Sequence, residues 1–231
     1  AQQAPEVPEV QFQLGLGYVN EDPEFGYDMI SKLRETMPRA PLLKVLESLL
    51  AERAGSEERA GLALEEALTY WPDEAMWQAK AAGLATKSGE HSKASQHWKA
   101  AAHLMPDNSE YSLALGRSYV QSERYSEAVE ALDRAARLNP ADFDSWIELA
   151  GAAKMAGQLT EAMESAQHAS QLRPDDIRGL LLTSDIAGDL NDANTAAEYA
   201  RMALRQEPHN PSAVLALSRA MVQAGEEEQG L

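Results

Sequence analysis

Five histidines, His91, His97, His103, His168 and His209, are the residues best able to hold a metal or move a proton. The first three stand six residues apart. On a helix that step turns the chain by about 240°, so the three do not share a face, and solvent-exposed histidines are the expectation. No cysteine occurs. A thiolate zinc site, an iron–sulfur cluster, a disulfide framework and a cysteine nucleophile are thereby excluded. The carboxylates Asp175-Asp176 and Glu226–Glu228 read as solvated helix ends, without the spacing of a calcium loop. The sequence holds no P-loop, no G-x-S-x-G elbow, no H-E-x-x-H and no glycine-rich phosphate cradle. The expectation is a chain with no catalytic residues, no metal and no cofactor. Trp146 and Trp98 are expected in a core, and Trp71 and Trp77 in packing between units.

The elements that would carry these residues follow from a period. Of 231 residues, 37 are acidic and 20 basic, giving a net charge of −17 and a pI near 4.6. Such a field repels phosphate and argues against nucleic acid as a partner. No uncharged apolar stretch approaches the ~18 residues needed to span a bilayer, so no direct membrane insertion is expected. Pro38, Pro72, Pro106, Pro140, Pro174 and Pro208 recur every 34 residues. A fixed period of this size decides architecture.

Placing each proline at position 32 of a 34-residue unit aligns the rest. Position 20 is then Gly26, Ala60, Ala94, Ala128, Ala162 and Ala196, and position 27 is Leu33, Ala67, Ala101, Ala135, Ala169 and Ala203. Small residues there let helices approach closely, and alanine favours helix. Ala128, Ala131, Leu132, Ala135 and Leu138 recur at helical spacing. Gly55, Gly89, Gly157 and Gly225 at position 15 read as stops between two helices of a unit. The periodic proline ends the second helix, and Asp, Asn or Ser after it suits the next helix N-terminus.

The unit from Ser109 carries Leu115-Gly116, Tyr119, Ala128, Leu132, Ala135 and Pro140. With Trp146, Leu149, Ala150, Ala162, Ala169 and Pro174 in the next unit, this resembles the tetratricopeptide repeat (TPR) pattern. The resemblance implies an all-α, right-handed superhelical solenoid of antiparallel helix pairs. The expected units are residues 1–40 (a divergent helix pair), 41–74, 75–108, 109–142, 143–176, 177–210, and a partial repeat or capping helix at 211–231. Glu47 and Thr183 replace the position 7 leucine, and each reads as a distorted packing contact, the favoured reading, or as a polar position near an edge. The sequence stops where a second helix of the last unit should begin, so a piece of a longer array is expected.

The resemblance further implies a concave face lined by positions 2, 5, 9 and 12 of the first helices. It nominates Val45, Leu49, Leu113, Arg117, Ile147, Lys154, Leu181, Asp185, Leu215 and Arg219 as partner-binding. The Lys and Asn pair of chaperone-binding TPR domains is missing at positions 5 and 9, so that ligand is not expected. An aliphatic stripe flanked by isolated charges suits a protein or peptide partner, either extended or an amphipathic helix. Residues 73–106 hold four lysines against three acids, whereas residues 175–208 hold seven acids against three arginines. A basic partner would therefore prefer the C-terminal half, with salt-sensitive binding. The expectation is a non-catalytic scaffold. Two alternatives are a periplasmic TPR segment of a bacterial cell-envelope or exopolysaccharide-export protein and the substrate-presenting TPR region of a larger enzyme. End-to-end stacking of copies is compatible with a repeat; the oligomeric state is left open, as is a cytoplasmic or periplasmic location.

Overall fold

The computed structural model describes residue 30 and residues 41–225. The helix pair expected in residues 1–40 lies outside the described residues, as does the acidic run Glu226–Glu228. The chain forms two compact units, residues 1–105 and 106–231. In the first, α1 (Pro41–Arg53), α2 (Glu57–Leu68), α3 (Ala75–Lys87) and α4 (His91–Leu104) follow one another. The second holds α5 (Ser109–Gln121), α6 (Tyr125–Leu138), α7 (Phe143–Met155), α8 (Leu159–Leu172), α9 (Ile177–Asp189), α10 (Ala193–Gln206) and α11 (Pro211–Gln223). Every described element is helical, and the first helix of each pair starts 34 residues after the last. Each unit is all-α, a row of helix pairs in which neighbouring helices pack on one another.

Two turns with different chemistry alternate. Within a pair, the residue at position 15 takes a left-handed backbone: Gly55, Gly89, Gly157 and Gly225 have φ of 74–78°. The Gly55 N–H donates to Glu52 O and the Ser56 N–H to Ala51 O, at 3.0 and 2.8 Å. These are the two bonds of a Schellman ending. Glu123 and Asn191 occupy the same position with φ of 57° and 59°. Arg124 N–H to Tyr119 O and Asp192 N–H to Ala187 O, both 2.9 Å, close the turn without glycine.

Between pairs, proline imposes the break. Met105, Asn139, Arg173 and Glu207 precede it with φ between −128° and −135°, the extended backbone that proline demands of its predecessor. The next helix is then capped. The side chains of Asn108, Asp142 and Asp176 accept from the backbone N–H of Tyr111, Ser145 and Arg178, and Asn210 accepts from Ser212 and Ala213. Each such cap is worth about 1 kcal/mol.

Alanine fills the seams. Ala60, Ala94, Ala128 and Ala162 at position 20 are wholly buried, as are Ala101, Ala135, Ala169 and Ala203 at position 27. In the unit from Ser109, glycine at position 8 faces leucine at position 24. A methyl group on Gly116 would lie 2.4 Å from Cγ of Leu132, which is itself fully buried.

Three expectations are corrected here. Thr183 does not distort packing. It is fully buried inside an unbroken α9, where its hydroxyl donates to Gly179 O at 2.8 Å and lies 3.3 Å from Ser170 Oγ. Glu47 is half-buried and pairs with Lys44 at 3.2 Å. Trp146 is not a core residue: it is half-buried, donates its indole N–H to Pro140 O at 3.0 Å and lies against His168, with centroids 4.2 Å apart and the rings tilted by 47°. The buried aromatic of α7 is Phe143, with the guanidiniums of Arg173 and Arg178 each 4.8 Å from its ring.

Gly116→Ala should therefore destabilise the chain by about 1–3 kcal/mol, measured by urea unfolding. In the Gly116→Ala/Leu132→Ala double variant the two losses should fall short of additive, because the second change removes the clash created by the first. Glu123→Gly should instead raise stability by about 1 kcal/mol, since it relieves a left-handed residue; thermal melting followed by circular dichroism reads this gain.

Candidate partner-binding face

The histidines and the candidate charges are more engaged than their spacing suggests. His97 is largely buried rather than exposed. Its Nδ1 lies 2.7 Å from Gln78 Oε1 and its Nε2 3.2 Å from Glu65 Oε1, so it joins α4 to α3 and α2. Gln78 also donates to Pro72 O at 2.8 Å, and Lys93 pairs with Glu65 at 2.7 Å. His91 is half-buried, and its Nδ1 has no hydrogen-bond partner among the described residues. His103 and His209 are exposed. No group of three or more His, Asp or Glu among the described residues could hold a metal ion, and no described helix is long and apolar enough to cross a membrane.

The nominated apolar residues do not share one exposure. In the first unit Val45 is fully buried, in a cluster with Ala60, Leu64, Ala81 and Leu84, and Leu49 packs half-buried against it. Val45 thus faces the core and not a surface, because the helices packed against α1 close over it. In the second unit Leu113, Ile147 and Leu181 are half-buried, whereas Leu215 is 51% exposed.

The nominated charges fall into a second pattern. Arg117 on α5 grips Glu148 on α7 through two nitrogens, with Nη2 to Oε1 at 2.5 Å and Nε to Oε2 at 2.9 Å. Lys154 on α7 pairs with Asp185 on α9 and, at 3.3 Å, with Asp189. Both Arg117–Glu148 and Lys154–Asp185 span 31 residues. In the first unit Glu52 on α1 accepts from Lys80 on α3 at 2.5 Å, and Lys87 lies 3.7 Å away. Burial drives the Glu52 carboxyl upward, but the two lysines outweigh it and hold the group below its usual 4.5. Glu65 is likewise pushed up by burial and pulled down further by Lys93 and His97. Burial also lowers Lys154, yet Asp185 and Asp189 prevail and raise it. Arg219 differs. It is exposed and makes no ion pair or hydrogen bond among the described residues.

These features meet between α9 and α11. A cleft of about 840 Å³ opens there, walled by Leu181, Leu182, Asp185, Leu215, Arg219 and Val222 among others. It unites four of the ten nominated residues. Leu182, Asp189, Val222 and Gln223 are among its members outside that nomination. Val222 was legible as position 12 of the last unit; Leu182 sits between register positions, and nothing in the repeat marked it. Gln223 donates to Gly188 O at 3.2 Å and ties the far end of α11 to α9.

Residues 113–177 match the family model described as tetratricopeptide repeat. Solved TPR proteins share the fold across most of the chain. YrrB, a TPR protein with an unusual peptide-binding site, superimposes with a TM-score of 0.69 at 19% identity, over 81% of this chain and 96% of that one. MamA (41-end) from Desulfovibrio magneticus RS-1 gives 0.63 at 22% identity, over 74% and 97%. The pilF protein of Pseudomonas aeruginosa gives 0.57 at 21%, over 93% and 96%. No curated protein matches the chain in sequence.

The ion pairs between neighbouring repeats predict a pH response. Glu52 and Glu65 ionise more readily folded than unfolded. Their stabilising share is therefore present above the ordinary carboxylate range and lost as pH falls through the folded values. The melting temperature should drop as pH is lowered below about 4.5. In Glu52→Gln the acid-induced drop should be smaller, because that group no longer takes up a proton on unfolding.

Proposed function

We propose that this chain is a non-catalytic scaffold that binds a protein or peptide through the faces of its first helices, with the α9–α11 cleft as the anchoring site. In this reading the repeats run 41–74, 75–108, 109–142, 143–176 and 177–210, with a further first helix from 211. The TPR fold, shared with proteins that include a peptide binder, supports an interaction scaffold. The observation that carries the site is apolar exposure. Leu215 and Val222 are 51% and 53% exposed on α11, where they flank an open cleft whose opposite wall is Leu181 and Leu182. Leu181, Leu182, Leu215 and Val222 give the cleft apolar surface that a ligand's side chains can desolvate, beside polar wall residues that include Asp185, Asp189 and Arg219. Because Arg117 and Lys154 are already neutralised by neighbouring helices, the affinity of the face rests on this apolar contact. Half-buried Ile147 and Leu113, at the same register on α7 and α5, extend the surface for an occupant longer than the cleft.

Leu215→Asp and Val222→Asp should each leave the helical circular dichroism unchanged, since both side chains are exposed. Each should weaken a peptide selected against the chain by about tenfold or more, through the cost of burying a carboxylate in the cleft. Undiminished binding by the double variant, read by calorimetry, would remove the cleft from the account.

A further inference from the structure

Two grooves at the same register of the repeat carry opposite chemistry. In the first unit Glu65 on α2 holds position 25, and Gln78, Lys93 and His97 hold positions 4, 19 and 23 of the next repeat. These four side chains close on one another. Gln78 donates to Pro72 O and meets Nδ1 of His97, while Lys93 and Nε2 of His97 both reach Glu65. Two 34-residue steps later the same positions hold Asp133, Trp146, Glu161 and Ser165. Trp146 keeps the anchor of Gln78, because its indole N–H donates to Pro140 O. The basic residues are replaced: Glu161 takes the place of Lys93, and Ser165 that of His97.

The second set lines an open groove of about 560 Å³ between α6, α7 and α8. Glu161, Glu164, Ser165 and His168 line it from α8, at the spacing of one helix face. Asp133 lines it from α6 and Trp146 from α7. Asp133 pairs with Arg137 of its own helix at 2.8 Å, and that arginine side chain is 76% exposed. Glu161 and Glu164 make no ion pair or hydrogen bond among the described residues. Ser165 is only 3% exposed, yet its hydroxyl has no hydrogen-bond partner among them either. A buried hydroxyl without a partner costs stability, and a donor entering the groove would satisfy it. The acids do not converge closely enough to hold a metal ion.

The occupant that fits is a flat cation. A guanidinium can lie on an indole ring while its five N–H donors reach acceptors around its edge, and Glu161, Glu164 and Ser165 are such acceptors. An ammonium has the charge but no plane to stack. We propose that this groove is a second recognition site, which takes an arginine side chain of a partner protein where the first unit places its own Lys93. It shares no lining residue with the α9–α11 cleft and does not depend on that reading.

The test follows the indole N–H signal of Trp146 by NMR, assigned with W146F, in the isotope-labelled full chain. The probes are acetyl-Ala-Arg-Ala-amide and its lysine and citrulline counterparts. The arginine peptide should shift the signal to saturation, the lysine peptide should bind more weakly, and the uncharged citrulline peptide should leave the signal still. E161Q/E164Q should weaken the arginine peptide about tenfold. E161K, which copies the first unit's charge opposite the position 25 acid, should abolish binding with unchanged helical circular dichroism. L215D should leave this binding intact, so failure of the groove and failure of the cleft are read separately. No shift with any peptide, or a shift that E161Q/E164Q and E161K leave unaltered, would overturn the site. Equal affinity for the citrulline peptide would overturn the cation, and equal affinity for the lysine peptide the guanidinium. Binding seen only in R137A would show that the chain's own arginine fills the groove. A shift on concentrating the chain alone would show that a second copy does. Either result would overturn the partner protein.

Discussion

The methyl-sized contact between neighbouring helices is the constraint on which the rest of this structure depends. At positions 20 and 27 the second helices present alanine, and those alanines are buried almost without residue. A methyl group adds little hydrophobic free energy by itself, about 0.8 kcal/mol per buried carbon. Its value is geometric: it lets backbones approach closely enough for the larger neighbours, Leu64, Leu132, Leu149, Leu180 and Ile186, to be enclosed completely. Gly116 against Leu132 is the same rule at its limit, with the methyl itself omitted. Repeating the contact every 34 residues fixes the register of each first helix against the next.

That register explains the charges. The pairs Arg117–Glu148 and Lys154–Asp185 join consecutive first helices at a step of 31 residues, three short of the repeat, and Glu52–Lys80 does so at 28. The ion pairs are partly exposed, so each is worth less than about 1 kcal/mol. They hold the charges of Arg117, Lys154 and Asp185 in contacts between neighbouring first helices. Leu215 and Val222 on α11 remain exposed, and the proposed binding face is built on them.

Much of the fold was legible from the prolines and alanines alone, because both act locally. Proline sets the backbone of the residue before it, and alanine at a fixed phase marks the seam. The site was legible only in part. Position 5 was correctly apolar throughout, but Val45 is buried and Leu215 exposed at the same register, since exposure depends on which helices stand over each. The pairing of Arg117 and Lys154 was hidden because its step differs from the sequence period. Trp146 matched a family packing position, yet the buried aromatic of α7 is Phe143, three residues earlier. Glu123 and Asn191 concealed two turns that glycine announced in the other pairs.

The central claim is that ligands enter between α9 and α11. The most direct measurement is a methyl-resolved NMR titration of the chain with a bound peptide. The account predicts that the methyl signals of Leu181, Leu182, Leu215 and Val222 shift, while those of the exposed Leu62 on α2 and Leu138 on α6 stay still. Shifts confined to the second helices, with the cleft methyls unmoved, would contradict it.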